Sequence, residues 1–238
     1  MRLFAGNAAQ ARQLVPPLMK LLSLQIGKPR TYGEKDATDY YEKEWRTAIF
    51  REPVVGPVWL SLTTLAGDQV ANRRFHGGPD KAVNVYPSEH YAQWRDELNL
   101  PEMTHGGFGE NFTTEGWLET EICIGDRFEI GSAIVEVSQP RQPCGTLARR
   151  WRVKDFPARV INANKTGWYL RVLQEGEVRA GLPFTLLARP HPEWTIAAAN
   201  AVMHFRKKDA EAMRALLDCS ALAGAWRDEL QERLNALT

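Results

Sequence analysis

The sequence predicts a mainly β domain that also contains helices, followed by a small bundle of three helices at the C-terminus. Up to residue 189, short apolar segments rich in β-branched and aromatic residues alternate with turns that contain Gly and Pro. The run Pro190-His191-Pro192 is the clearest linker in the chain, and beyond it the apolar period changes from two toward 3.6 residues. We therefore expect a β-rich domain over residues 19–189 and a three-helix domain over residues 190–238.

The β-rich domain is expected to begin with a strand. Residues 18–26 form an apolar run that Gly27 closes, whereas the residues before this run show little pattern. Met19 stands at the start of the first strand, and residues 1–18 are expected to be either an N-terminal extension upstream of the real start or a short ordered arm.

A strand followed by a helix is predicted after residue 82. Residues 83–86 form the strand, and Pro87 suits the first turn of the helix. Tyr91, Trp94 and Leu98, spaced i, i+3 and i+7, give that helix one apolar face. Aromatic residues at this spacing usually face the core, so we interpret the stripe as packing rather than as a stacking platform.

The second half of the β-rich domain contains further strands. Residues 121–131 have the pattern of a strand, a turn and a strand, and Cys123 stands there between two isoleucines, which predicts an inert core thiol. Residues 167–173, the turn Glu175-Gly176 and residues 184–188 together predict a hairpin.

Three helices are expected after the linker because cap residues precede periodic apolar runs. Thr195 and Asp209 are the expected caps of the first two helices, and Ser220 is the expected start of the third. The third helix carries Trp226 on its apolar face. A bundle this small is expected to need the β-rich domain for its stability.

Length, charge and cysteine content exclude several classes of protein. The net charge of +1 over 238 residues argues against a generally basic nucleic-acid binder. No apolar run approaches the roughly 20 residues of a membrane span. Three cysteines, an odd number without framework spacing, favour a reducing compartment, so we expect a cytoplasmic protein with no membrane partner.

A stiff loop with one thiol is the strongest chemical feature of the sequence. It follows the strand-like residues 132–138, and Pro140 cannot donate to a central sheet ladder. The strand is therefore expected to end there, so that the loop presents Arg141 and Cys144 close together. Neighbouring cations lower the pKa of a thiol, and a thiolate is both a nucleophile and a soft metal ligand. The alternative, about equally supported by this stretch alone, is a buried structural cysteine.

A second candidate site surrounds the pair Gly77-Gly78. Adjacent glycines allow backbone N–H groups to approach a ligand closely and to form an anion-binding nest. His76, Arg74 and Lys81 lie within a few residues of the pair. The alternative is a solvated turn with incidental charges.

Ordered motifs give the chain a specific resemblance to the MOSC domain family, named after the C-terminal domain of molybdenum cofactor sulfurases. These motifs are His76-Gly77-Gly78-Pro79-Asp80-Lys81-Ala82-Val83, Tyr86-Pro87 with His90-Tyr91, Phe108-Gly109-Glu110-Asn111-Phe112, Ile124-Gly125-Asp126, and Gln139-Pro140-Arg141 with Pro143-Cys144. With its three trailing helices, the chain is similar to the YiiM branch of this family over residues 19–238. The resemblance implies a β-rich, barrel-like MOSC fold.

The resemblance also implies binding of a molybdenum–pterin cofactor, with Cys144 as the metal ligand and catalytic residue. Pyridoxal phosphate binding is the alternative at the level of the family. Cations would hold the phosphate or oxo groups through charge-assisted hydrogen bonds. The remaining cofactor-binding candidates are Arg74, His76, Lys81 and Arg141 for these anions, Gly77 and Gly78 for close backbone approach, and Glu110 and Asn111 for the pterin edges.

Three functions are compatible with these residues. YiiM-like proteins are associated with detoxifying N-hydroxylated bases such as 6-hydroxylaminopurine, which implies that the first function is a reductase. Its electrons would come from a separate electron-donor protein. A homodimer is a further expectation. A sulfur carrier with a Cys144 persulfide is the second function. A non-enzymatic binder of a phosphate-bearing ligand, in which Cys144 is incidental, is the third.

Overall fold

The computed structural model of the protein describes residues 18–74 and 76–237. The expected N-terminal extension therefore lies outside the described residues, apart from Leu18. The strands are β1 (Lys20–Ile26), β2 (Arg30–Tyr32), β3 (Trp45–Thr47), β4 (Glu52–Pro53), β5 (Val58–Leu60), β6 (Val83–Pro87), β7 (Phe112–Glu115), β8 (Arg127–Ile130), β9 (Ala133–Pro140), β10 (Trp168–Gln174), β11 (Gly176–Val178) and β12 (Thr185–Ala188). The helices are α1 (His90–Leu98), α2 (Gly145–Trp151), α3 (Phe156–Asn162), α4 (Ile196–Asn200), α5 (Ala210–Leu217) and α6 (Gly224–Asn235).

Eight strands form one curled sheet in the order β12-β8-β9-β10-β6-β7-β1-β4. Neighbouring strands are antiparallel except for β6 and β7, which are parallel. The chain just before β12 returns to β1, where the Leu21 amide donates to the Leu182 carbonyl at 2.9 Å and the Phe184 amide donates to the Met19 carbonyl at 2.8 Å. The two ends of the sheet therefore approach each other, which confirms the barrel-like fold that the resemblance implied.

The inside of the curled sheet and the C-terminal helices share one continuous apolar core. Val137 and Trp168 of the sheet belong to the same buried cluster as Met213 and Trp226 of the helices. Fully buried apolar side chains of this size are the main source of folding free energy. The expected docking of the three helices is therefore confirmed, and it occurs within this chain.

A second apolar cluster fills the space between α1, α2 and α3. It is mainly aromatic, and Tyr86 and Phe108 stack in it with their ring centroids 3.7 Å apart. Tyr91 and Trp94 are buried there, as the predicted helix stripe requires. Pro87, however, is the last residue of β6, and α1 begins only at His90.

Two of the three expected helix caps are confirmed. The Ala198 amide donates to Thr195 Oγ1 at 3.0 Å, and the Ala212 amide donates to Asp209 Oδ1 at 2.9 Å. The third was wrong, because α6 begins at Gly224 rather than at Ser220. The Gly224 amide donates to Asp80 Oδ2 of the β-rich domain at 3.1 Å, so a distant carboxylate takes the place of a local cap.

The predicted C-terminal hairpin was also wrong. Strand β11 pairs with β5, and β12 pairs with β8, so neither pairs with β10. Cys123 lies outside the strands and forms only an isolated antiparallel bridge with Thr195, yet it is a buried thiol whose pKa burial raises to about 11. That protonated state agrees with the expected inert role.

The linker is fixed to the sheet by an ion pair. Arg189 donates from Nε and Nη2 to the two carboxylate oxygens of the buried Asp126, at 2.8 and 2.7 Å. A bidentate pair of this kind restricts orientation as well as adding attraction.

Within the described part of the chain, no helix is both long and apolar enough to span a bilayer.

Replacement of Trp226 by alanine tests the shared core. The indole is fully buried, so Trp226→Ala should lower the free energy of unfolding by about 3–5 kcal/mol. Trp59 is a matched control because its side chain is 49% exposed, and Trp59→Ala should cost roughly 1 kcal/mol or less. Chemical denaturation of both variants measures the difference, and equal losses would contradict the assignment of Trp226 to the core.

Candidate functional site

A cavity of about 520 Å³, here called the site cavity, lies where β9 ends and α2 begins. The predicted site residues that line it are His76, Gly77, Lys81, Asn111, Arg141 and Cys144. Residues from two separate candidate stretches therefore meet at one place. Arg74, Gly78 and Glu110 are not part of the lining.

The loop that carries Cys144 is set by the end of β9. Pro140 is the last residue of the strand, opposite Trp168 of β10, and the Arg141 amide still donates to the Gly167 carbonyl at 3.1 Å. The chain then leaves the sheet and enters α2 directly after Cys144. The Arg141 side chain is buried, and its Nη2 donates to the Phe108 carbonyl at 2.8 Å, which holds the guanidinium in the cavity wall.

The thiol of Cys144 is acidic in this environment. Burial alone would raise its pKa, but hydrogen bonds from the side chains of His76 and Thr146 and the positive charge of Arg141 together lower the pKa to about 6. The group is therefore mainly a thiolate at pH 7, whereas the pKa of the buried Cys219 is raised. The thiolate form is the nucleophile and the metal ligand.

The Gly-Gly loop has a backbone that favours glycine. Gly77 and Gly78 have φ angles of 75° and 87°, and the Lys81 amide donates to the Gly78 carbonyl at 3.0 Å. The Lys81 ammonium lies 5.9 Å from the centroid of the Tyr169 ring, and burial lowers its pKa while Asp80 opposes that shift. Two positive φ angles in succession are costly for residues with a Cβ, so the loop depends on these glycines.

Asp80 connects this loop to three other elements. Its carboxylate accepts from Arg171 of β10 at 3.0 Å and from the Gly224 amide of α6, and its carbonyl accepts from the Ser138 hydroxyl of β9 at 2.5 Å. Gln142 of the cysteine loop donates to Glu229 of α6 at 3.1 Å. Both loops of the site are therefore bonded to the C-terminal helix.

Glu110 and Asn111 are occupied by the protein itself. The fully buried Glu110 carboxylate accepts hydrogen bonds from the Tyr91 hydroxyl, the amides of Gly106 and Phe108, and the Thr113 hydroxyl. Asn111 accepts at Oδ1 from the Asn84 amide at 3.1 Å and donates to the Gln25 carbonyl at 3.2 Å. These two residues therefore hold the Gly-rich loop and β6 in place, and a direct contact with a pterin edge stays a prediction.

Two amide side chains that were absent from the predicted set line the cavity. Asn84 and Gln139 are 7% and 1% exposed, and within the described residues Asn84 Oδ1, Gln139 Oε1 and Arg141 Nη1 have no hydrogen-bond partner. A buried polar atom without a partner is destabilising, so it marks a candidate contact for a ligand. The sequence contained a signal for Asn84, because this amide interrupts the apolar residues of β6. The structure shows that every residue of β6 is buried, which is unusual for an asparagine.

One cation of the cavity wall is neutralised. Arg51 donates from Nε and Nη2 to the two carboxylate oxygens of Asp68, both at 3.0 Å. The other cationic residues that line the cavity are Arg46, Lys81 and Arg141. Among residues 18–74 and 76–237, no group of three or more His, Cys, Asp or Glu side chains is arranged to hold a metal ion. A metal bound at Cys144 would therefore need further ligands from a cofactor.

Comparison with known proteins gives two matches to family models. The MOSC domain model matches residues 72–185, and the model described as YiiM-like, 3-alpha helix domain matches residues 194–236. The predicted domain boundary at residue 189 is not tested by these ranges and stays a prediction.

Relatives and a solved structure extend the similarity over most of the chain. The chain is 39% identical to the uncharacterized protein YflK of Bacillus subtilis, over 91% of this chain and 95% of that protein, and 35% identical to protein YiiM of Escherichia coli, over 79% and 84%. A Gibberella moniliformis protein described as a reductase is 34% identical over 81% of this chain but only 35% of that protein. The crystal structure of YiiM from Geobacillus stearothermophilus has a TM-score of 0.75 and 34% identity, over 91% of this chain and 99% of that one.

The pH dependence of thiol alkylation tests the acidity of Cys144. Iodoacetamide reacts with the thiolate, so the labelling rate of cofactor-free protein should rise with pH around a midpoint of about 6 and then level off. Peptide mass analysis assigns the label, and Cys123, with its pKa of about 11, should remain unlabelled. His76→Ala removes a hydrogen bond to the thiolate and should move the midpoint upward. A wild-type midpoint at the ordinary value of a free thiol would show that the site does not stabilise the thiolate.

Proposed function

This chain belongs to the MOSC domain family, in its YiiM-like branch, and we propose that it binds a molybdenum–pterin cofactor and reduces N-hydroxylated bases such as 6-hydroxylaminopurine. The observation that carries the proposal is the Cys144 thiol, whose pKa is lowered to about 6 in the wall of the site cavity. A soft thiolate beside cations suits a soft metal centre with an anionic cofactor. The reductase among the relatives supports the reaction class.

The polar groups of the cavity fit such a cofactor. Within residues 18–74 and 76–237, the Nη1 atom of Arg141 and the side-chain oxygens of Asn84 and Gln139 have no hydrogen-bond partner. Lys81 lies on the same wall. A pterin presents both hydrogen-bond donors and acceptors at its ring edges, and a phosphate is held by ammonium and guanidinium groups. The donor set therefore contains a partner for the metal, for the ring and for the anion.

Each residue has a separate role in the proposed reaction. When bound, the cofactor supplies the two-electron cleavage of the N–O bond, in which R–NHOH, two electrons and two protons give R–NH₂ and water. Cys144 holds the metal through sulfur, while His76 hydrogen-bonds that sulfur and keeps it oriented. Lys81 and Arg141 hold the anionic part of the cofactor. Electrons come from a separate donor protein, and a homodimer remains an expectation.

The same thiolate also favours a second function. A nucleophilic cysteine in a cationic pocket can carry a persulfide, so the lowered pKa of the Cys144 thiol also supports a sulfur carrier. The two functions differ in metal content, because the reductase needs stoichiometric molybdenum and the carrier needs none. A carrier would also show the mass of one added sulfur on the Cys144 peptide.

Molybdenum content and turnover, measured separately on each variant, test the reductase. Protein from a molybdenum-replete host that synthesises the cofactor should contain stoichiometric molybdenum and reduce 6-hydroxylaminopurine with dithionite-reduced viologen. Cys144→Ser should abolish turnover, because a hydroxyl is a harder and less acidic ligand than a thiol. Lys81→Ala and Arg141→Ala should mainly lower molybdenum content, since each removes a cation from the phosphate-binding wall.

Cys219→Ala is the matched control because Cys219 is 1% exposed, packs in the apolar core and does not line the cavity. It should keep both molybdenum and turnover. Failure of molybdenum-loaded wild type to reduce the substrate, or normal turnover by Cys144→Ser, would refute the reductase. If Cys144→Ser binds a phosphate-bearing ligand as tightly as wild type in the absence of metal, the result would favour the non-enzymatic binder.

A further inference from the structure

We propose that Glu229 of α6 is a positioning residue for Cys144, because it anchors the cysteine loop through Gln142. This inference rests on the proposed function, which it deepens by giving a residue of the C-terminal helices a part in the reaction. It starts from a hydrogen bond between the two domains, in which Gln142 Nε2 donates to Glu229 Oε2 at 3.1 Å.

The cysteine loop has few attachments of its own. The Arg141 amide is bonded to the Gly167 carbonyl at 3.1 Å, and the Cys144 carbonyl accepts from an amide inside α2 at 3.0 Å. Between these two points Pro143 has no N–H group, and within the described residues the amides of Gln142 and Cys144 donate no hydrogen bond. The Gln142 side chain therefore supplies the hydrogen bond that holds the middle of the loop.

Glu229 is itself held from the other side. Its Oε1 atom accepts from Arg233 Nη2 at 2.5 Å, so each carboxylate oxygen has its own partner. Arg233 Nη1 also donates at 2.5 Å to the carbonyl of Met203, which belongs to the π-helical turn Ala201–Phe205. A guanidinium with two acceptors in place restricts the orientation of the carboxylate. The anchor of the cysteine loop is therefore fixed within the helical domain.

Helix α6 is also bonded to the strand from which the loop emerges. The Ala223 amide, just before the helix, donates to the Ser138 carbonyl of β9 at 3.0 Å, and the Gly224 amide donates to Asp80. The apolar face of α6 packs in the shared core. The helix is therefore attached to β9 before the loop and to Gln142 within the loop, so it braces the loop against its own strand.

The bond to Gln142 suits positioning better than it suits stability. The Glu229 side chain is 37% exposed, and a contact of a carboxylate this exposed contributes little to the free energy of unfolding. Gln142 lines the site cavity between Arg141 and Cys144, whereas Glu229 does not line it. Release of the loop would move the sulfur relative to the rest of the cavity in a protein that is still folded. A displacement of about 1 Å near the reacting groups can lower a rate about a hundredfold.

Removal of the carboxylate tests the anchor in the full-length protein. Glu229→Ala should leave the unfolding temperature within roughly 2 °C of wild type. In cofactor-free protein, amide hydrogen exchange in the peptide of residues 139–147 should become roughly two- to tenfold faster, because the loop opens more often. In molybdenum-loaded protein, kcat per molybdenum should fall roughly ten- to hundredfold. KM should be unchanged, since Glu229 does not line the cavity.

Changes to the partner show whether the bond itself is responsible. Gln142→Ala removes the same bond from the loop side, so it should speed exchange as much as Glu229→Ala does, without addition in the double variant. In the swapped variant, Gln142→Glu with Glu229→Gln, the new amide can donate to the new carboxylate while its oxygen accepts from Arg233. This swap should restore the slow exchange of wild type. Glu232→Ala is the matched control, because Glu232 is exposed on α6 and its side chain has no partner among the described residues.

Wild-type exchange or wild-type kcat in folded Glu229→Ala would overturn the positioning role. Fast exchange in the swapped variant, or an effect of Glu232→Ala as large as that of Glu229→Ala, would also overturn it. If Glu229→Ala does not fold, Gln142→Ala provides the same comparison.

These outcomes are separable from failure of the proposed function, because hydrogen exchange is measured without cofactor or substrate. Faster exchange in the anchor variants together with a wild type that reduces no N-hydroxylated base would keep the anchoring of Cys144 and refute the reductase. Reduction by wild type together with unchanged anchor variants would do the reverse.

Discussion

The end of strand β9 is the constraint on which the site depends. The strand lies inside the curled sheet and ends at Pro140. The carbonyl of this proline can accept a hydrogen bond from a neighbouring strand, but the residue has no N–H group to donate one. Gln139 is therefore held opposite Tyr169, and the chain leaves the sheet after Arg141 and enters α2 directly after Cys144. One chain segment thus supplies a buried amide, a cation and an acidic thiol. A shift of one residue in this register would turn these side chains to the other face.

The three-helix domain is part of the same arrangement rather than an appendage. Its core is continuous with the sheet, and Asp80 bonds the amide of Gly224 while its neighbour Lys81 lines the cavity. On the other side, Glu229 accepts from Gln142 in the cysteine loop. Because α6 is bonded to both loops, the helices are expected to restrict the relative positions of the cation and the thiol. That requirement gives a physical reason for the two domains to occur in one chain.

The sequence predicts features that depend on neighbours along the chain, and it fails where the partner is distant. The caps at Thr195 and Asp209 and the first strand are local, and each is confirmed. The start of α6 depends on a carboxylate 144 residues away, so local cap residues gave the wrong position. Near the site, Glu110 is a residue type that often binds ligands, but it already accepts four hydrogen bonds, whereas the side-chain oxygens of Asn84 and Gln139 have no partner among the residues that the structure describes. The type of a residue indicates which hydrogen bonds it can make. Its partners in the folded protein determine which of its polar atoms remain available to a ligand.

The central claim is that Cys144 binds molybdenum through its sulfur. X-ray absorption at the molybdenum edge tests it most directly, because sulfur and oxygen neighbours of the metal scatter at different distances. Wild-type protein loaded with the cofactor should show one more sulfur neighbour than Cys144→Ser, in which an oxygen neighbour takes its place. Equal sulfur counts in the two loaded proteins would contradict the account, even if both retain molybdenum.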